Sequence, residues 1–170
     1  MNRTLMLAVM VCVLVTSIES NAQSVIDKAN RDEISVVPDS DPDMIKAFRK
    51  AQSTLDGFLA MAKSPPAHIR SVSVKVAVSD KMNTEYFWIT PFTQDKGSFK
   101  GRINNNPRLV KNVVLGEEVS FDRSRIVDWM YIDASKKRMF GNFTACALLK
   151  HEPPEEAEKF KKQFGLECDL

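Results

Sequence analysis

The chain has 170 residues, 44% hydrophobic and 27% charged, with 6 Gly, 8 Pro and 3 Cys. These proportions exclude collagen-like, low-complexity and disulfide-dense classes and make a single globular domain the expectation at this length. Lys and Arg number 24 against 22 Asp and Glu, so the formal charge is +2, too even to point to a nucleic-acid partner.

Residues 1–22 read as a cleaved signal peptide. Arg3 supplies a short positive region, Leu5 to Val15 is an unbroken apolar run, and Ser20 and Ala22 are the small residues of a cleavage site. As a helix the run spans about 16 Å, well short of a roughly 30 Å hydrocarbon core. The expectation is a periplasmic or secreted protein, cut near Ala22, with no stable membrane insertion afterwards. Residues 23–40 are polar and read as a flexible leader to a single domain over residues 41–170.

Asp41-Pro42 pairs an N-cap with proline at the first helical position. Met44, Ile45, Phe48, Ala51, Leu55, Phe58, Leu59 and Ala62 then recur at three- and four-residue steps, which predicts a helix to about Lys63, stopped by Pro65-Pro66. Beyond the prolines the period becomes two. Val72, Val74, Val76 and Val78 alternate with Ser71, Ser73, Lys75 and Ala77, the pattern of a strand buried on one face. Glu85 to Ile89 reads as a second strand, with Phe87 and Ile89 on one face and Tyr86 and Trp88 on the other. Phe99, Gly101 and Ile103 mark a third, and Asn104 to Pro107 a turn. Further strands are expected at Val119–Phe121, Ile126–Ile132 and Met139–Leu148, with Ser135–Arg138 as the hairpin between the last two. Pro153-Pro154 opens a closing helix with Ala157, Phe160 and Phe164 as its apolar stripe and Gly165 as its stop. The fold class is α+β: an antiparallel sheet of five to six strands flanked by an N-terminal and a C-terminal helix.

Asp128-Trp129-Met130-Tyr131, ahead of Gly141-Asn142-Phe143-Thr144, is distinctive, as are Gly101-Arg102-Ile103-Asn104, Pro107, Leu115-Gly116-Glu117 and Glu85-Tyr86-Phe87-Trp88. From about Asp43 to Leu166 the chain resembles the YegJ-like family of small, often exported bacterial proteins. Asn142 stands where relatives carry a second glycine, and Asn also accepts a left-handed backbone. The resemblance implies a bacterial envelope protein and brings no established activity with it.

Cys146 and Cys168 remain after the expected cleavage, an even pair in an oxidising compartment. Two arrangements fit: a disulfide, or a buried free Cys146 on a strand with a loose tail thiol at Cys168. A Cys146–His151 nucleophile lacks both an orienting third group and an oxyanion turn. His68 and His151 are the two histidines, and without paired Cys spacing they give no zinc motif, so neither cofactor nor metal is expected. Glu85 and Asp128 are the carboxylates that an envelope hydrolase could use as acid and base, although turn capping is the favoured reading of Asp128. Tyr86, Trp88, Trp129 and Tyr131 combine apolar bulk with polar handles and suit either a core or a binding surface. A basic strip, Lys96, Lys100, Arg102, Arg108 and Lys111, could meet anionic glycan, lipid headgroups or an acidic protein. The sequence favours a non-enzymatic interaction module for a protein or envelope component, an immunity-type inhibitor being one form. Its expected surface is Glu85, Tyr86, Trp88, Lys100, Arg102, Asp128, Trp129 and Tyr131.

Overall fold

The computed structural model describes residues 37–170. The expected signal peptide, its cleavage point near Ala22 and the leader as far as residue 36 lie outside the described residues.

The first helix, α1, covers Pro42–Ala62, and its start is set by chemistry visible in the sequence. The Asp41 Oδ1 accepts from the Asp43 and Met44 amides at 2.9 and 3.0 Å, satisfying donors that a helix leaves open. Its buried stripe is Met44, Ala47, Ala51, Leu55, Phe58 and Leu59. Six strands follow in one antiparallel sheet: β1 (Ile69–Ser79), β2 (Thr84–Asp95), β3 (Ser98–Ile103), β4 (Glu118–Asp122), β5 (Ile126–Asp133) and β6 (Arg138–Gly141). Their spatial order is β4-β3-β2-β1-β5-β6. This is one α+β domain, with helices flanking the sheet as expected.

Position in the sheet explains two departures from the sequence pattern. β1 is central, paired with β2 and β5, and Ser73 and Lys75 are buried along with Val74 and Val76. The alternating pattern therefore describes the chemistry of the two faces, not their exposure. β2 runs on to Asp95 instead of ending at Ile89, because Pro91, after a cis bond, falls where the β2–β3 register shifts between Ile89 and Phe92. Proline has no amide to donate, and an irregular ladder position loses nothing by it.

The expected strand Met139–Leu148 is two elements. β6 stops at Gly141, and Phe143–Leu149 forms a helix, α2. Gly141 (φ 77°) and Asn142 (φ 54°) take left-handed backbone in succession and turn the chain out of the sheet. A Cβ at Gly141 would stand 2.0 Å from the Trp129 carbonyl oxygen, so close approach as well as φ demands glycine there. The third helix, α3, spans Pro154–Phe164 and ends on Gly165 at φ 60°.

Two cores result. Under α1 the stripe meets Val74, Val76, Phe87, Ile89, Phe99, Ile103, Phe121 and Trp129. Each large side chain buried fully there contributes about 1.5–3 kcal/mol. A smaller core joins Met139, Cys146, Leu149, Ala157 and Leu166 between β6, α2 and α3. A disulfide closes it: Cys146 and Cys168 are bonded, with Cα atoms 5.4 Å apart. Cys146 reaches its partner from α2 rather than from a strand. The tail returns because the Gly165 carbonyl accepts from the Met139 amide at 2.9 Å.

Candidate functional site

The β1–β2 and β1–β5 registers sort the expected site residues. Lys75 stands opposite both Trp88 and Asp128, while Val78 stands opposite Glu85 and Val74 opposite Trp129. Directly opposed residues share a face, so Asp128 and Trp88 lie on one face and Glu85 and Trp129 on the other. Glu85 and Asp128 therefore do not converge as an acid/base couple. The four expected aromatics are divided in the same way.

Each carboxylate has a structural task. Asp128 is fully buried; one oxygen accepts from the Trp129 amide at 2.8 Å, the other from the Thr144 amide at 2.8 Å and the Thr144 hydroxyl at 2.7 Å. It thus serves the start of α2 from a neighbouring strand. Lys75 donates to the Thr144 hydroxyl at 2.6 Å, and its ammonium sits 4.6 Å from the centre of the Trp88 ring. Burial pushes the Asp128 carboxyl above its usual range, opposed by the Lys75 charge and the hydrogen bonds from Thr144 and Trp129. Glu85 gathers the amides of Arg108, Leu109 and Val110 at 2.9–3.2 Å and holds the β3–β4 loop.

Tyr86 packs on Phe48, and its hydroxyl donates to Asp39. Val37 also packs against the main core, so the last leader residues are held on the domain. Lys100 and Arg102 are exposed on β3, and Arg102 donates to the Gly116 carbonyl at 3.2 Å. The basic strip is not one patch: Lys96 turns the β2–β3 hairpin at one end of the sheet, while Arg108 and Lys111 lie at the other.

A groove of about 610 Å³ lies between α1 and the β5–β6 edge. Its wall is a run of stacked rings. Phe58 meets Trp129 at 4.9 Å, Trp129 meets Tyr131 at 6.0 Å, and Tyr131 meets Phe140 at 5.0 Å. Trp129 is fixed from behind, its indole N–H donating to the Ala51 carbonyl and the Thr54 hydroxyl, both at 3.2 Å. Lys50 and Arg138 line the groove together with Glu167 and Asp169 of the tail. Arg138 pairs with Glu167, and Lys50 with Asp169 at 3.4 Å. The Arg138 guanidinium lies 5.0 Å from the Phe140 ring, and its enclosed Nε has no hydrogen-bond partner among the described residues.

Trp129 and Tyr131 were legible as candidates. Phe140 could have been added from the hairpin register, which sets it opposite Tyr131. Nothing in the sequence marks Lys50, Arg138, Glu167 and Asp169 as neighbours, since the disulfide and the return of the tail bring them together. Among the described residues there is no cluster of three metal-ligating side chains. No described helix is long and apolar enough to cross a membrane.

A family model described as "Uncharacterized protein conserved in bacteria (DUF2314)" matches residues 41–168, the whole folded domain. The chain is also 34% identical over 121 residues to "Uncharacterized protein YegJ" of Escherichia coli (strain K12), covering 71% of this chain and 76% of that protein. No solved structure gives a significant match.

Proposed function

The chain belongs to this family of uncharacterized proteins conserved in bacteria, and from that premise we propose that it is a non-enzymatic binding module of the bacterial envelope. Its ligand is an apolar and acidic segment of a partner protein, taken into the groove beside Trp129. An inhibitor of the immunity type is one form such a module takes.

The observation that carries this reading is the occupant already beside the groove. The tail sets Glu167 and Asp169 against Arg138 and Lys50, and Leu170 packs against both cores. A groove that accepts carboxylates at its basic rim and an apolar side chain beside them suits a segment of the same chemistry from another protein. The outer guanidinium nitrogen of Arg138, which holds Glu167, is the donor that a ligand carboxylate can use. A hydrolase using Glu85 or Asp128 is disfavoured, since Asp128 is sealed and Glu85 is committed to the loop.

The test is a synthetic peptide with the sequence of residues 165–170, serine replacing Cys168, titrated into a Glu167→Ala chain lacking Asp169 and Leu170. The expected result is a saturable change in tryptophan fluorescence that weakens with salt and disappears in Arg138→Glu. An unchanged signal at millimolar peptide, or equal binding by Arg138→Glu, would sink the groove as the binding site. Export is tested separately. Envelope-fraction protein should begin at Gln23, and an intact residue 1 there would count against cleavage.

A further inference from the structure

The groove leaves the opposite part of the sheet unexplained. Among the described residues the exposed large hydrophobic side chains are Met82, Leu109, Val114 and Leu115, at 86%, 50%, 63% and 51% exposure. All four belong to two stretches, the β1–β2 turn and the β3–β4 loop. Antiparallel pairing brings both stretches to the same end of the sheet: β1 ends there, β2 begins, β3 ends and β4 begins.

Hydrogen bonds fasten the two stretches together. The Lys111 amide donates to Asp80 at 3.1 Å, and the Asn112 side-chain amide donates to the Ser79 carbonyl at 3.0 Å. Glu85 holds residues 108–110 alongside. Met82 and Leu109 are thus carried on one fastened platform, with Val114 and Leu115 farther along the same loop. Scattered single apolar residues on a surface need no explanation, but four confined to one end do.

The charges at this end are arranged unequally. Three of its acids turn toward the backbone: Asp80 accepts from the Met82, Asn83 and Lys111 amides, Glu85 from three loop amides, and Glu117 from the Val114 amide at 2.9 Å, while Glu118 is exposed at the start of β4 opposite Arg102. Lys81, Arg108 and Lys111 are exposed among the apolar side chains. Cationic heads beside protruding aliphatic chains match a surface that is anionic above and hydrocarbon below.

We propose that this end of the sheet docks on an anionic phospholipid bilayer. Met82, Leu109, Val114 and Leu115 enter the boundary between headgroups and acyl chains, and Lys81 and Lys111 meet lipid phosphates. A protein partner fits less well. Protein hot spots favour aromatic anchors in packed pockets, and here the apolar residues are exposed aliphatic or thioether side chains on a turn and a loop. The fluid interior of a bilayer accommodates such side chains without shape complementarity. The groove and this surface lie on separate parts of the domain, so either can fail without the other.

The experiment is cosedimentation of the chain from Gln23 to Leu170 with vesicles of phosphatidylglycerol and phosphatidylethanolamine, against vesicles of phosphatidylcholine alone. Binding is expected to the anionic vesicles, to fall steeply with salt and to be weak on the neutral ones. The double variant Lys81→Glu/Lys111→Glu should bind the anionic vesicles roughly tenfold less, or worse. Met82→Asp/Leu115→Asp should lose binding to a similar degree. Lys63→Glu/Lys162→Glu, the same total charge change at exposed positions away from this end, serves as the control and should bind as the wild type does. These side chains are exposed, so unchanged melting temperatures would show that the variants are folded. Equal binding by loop variants and control would place vesicle affinity elsewhere in the chain and overturn the proposal. So would an absence of binding to anionic vesicles. Loss of a specific co-purifying protein from the loop variants, with vesicle binding unchanged, would make this end a protein interface instead.

Discussion

Asp128 and Glu85 both give their oxygens to backbone amides, Asp128 at the start of α2 and Glu85 in the β3–β4 loop, yet their surroundings are opposite. Around Asp128 everything is closed: the carboxylate is fully buried, Lys75 is 8% exposed, and Thr144 joins them. Around Glu85 water reaches the hydrogen bonds, and the loop it holds carries three of the four exposed large hydrophobics. The same kind of hydrogen bond is worth more where the alternative partner, water, is excluded. Dry chemistry makes the β5–α2 region a rigid support for the groove, whereas wet chemistry leaves the loop end shaped but not packed.

The largest effect should come from breaking the dry cluster. Asp128→Ala is expected to destabilise the fold by about 3–5 kcal/mol, because it removes the carboxyl beside the buried Lys75 charge and leaves the Thr144 and Trp129 amides without that acceptor. Replacing both partners, as Lys75→Met with Asp128→Leu, should recover part of that loss. A double-mutant cycle by urea denaturation checks this, and strict additivity would show that the two residues do not act together.

Next is the disulfide that returns the tail to the groove. Cys146→Ser/Cys168→Ser should lower stability by about 3 kcal/mol on a chain-entropy estimate, for a sequence separation of 22 residues. It should also free Glu167 and Asp169 from the groove, so Trp129 emission should change even under native conditions. Native-state fluorescence identical to the wild type would show that the tail keeps its place without the bond.

Glu85→Gln should cost only about 1 kcal/mol, since one oxygen still accepts and water can serve the remaining amides. Its signature is local. The amides of Leu109 and Val110 should lose hydrogen-exchange protection, while those of α2 keep theirs. Uniform loss across both regions would erase the distinction between wet and dry.

The smallest effect is in pH, and the two regions carry opposite signs. The Met82 and Asn83 amides hold the Asp80 carboxyl below its usual range. Its contribution to stability is present above the ordinary Asp value, about 3.9, and is lost as pH falls through the lower folded value. Burial raises the Asp128 carboxyl instead. There the folded state binds the proton more tightly, so this group's contribution declines as pH rises from the ordinary value through the raised one. Carboxyl-carbon NMR titration should therefore show Asp128 titrating well above Asp80. The reverse order would mean that Lys75 and the hydrogen bonds outweigh burial.

Much of the fold was legible because it rests on local chemistry. Asp41-Pro42, Pro153-Pro154 and Gly165 mark helix ends through their own dihedrals and donors, and the period-two runs of β1 and β3 follow from the pleat. Phe143–Leu149 was not legible as a helix. Its apolar residues fit either period, and what decides the matter is a left-handed Gly141-Asn142 pair with an acceptor supplied by Asp128, 16 residues away from Thr144.

Sequence alone determined the α+β class, the ends of α1 and α3, most of the strands and the family to which the chain belongs. Tertiary structure decided which candidates meet. Strand order buried Lys75 between Trp88 and Asp128, register set Glu85 on the far face, and the disulfide carried two acids to the rim of an aromatic groove. Those outcomes depend on pairings between residues distant in the chain, and local propensity does not encode which distant residues will share a face.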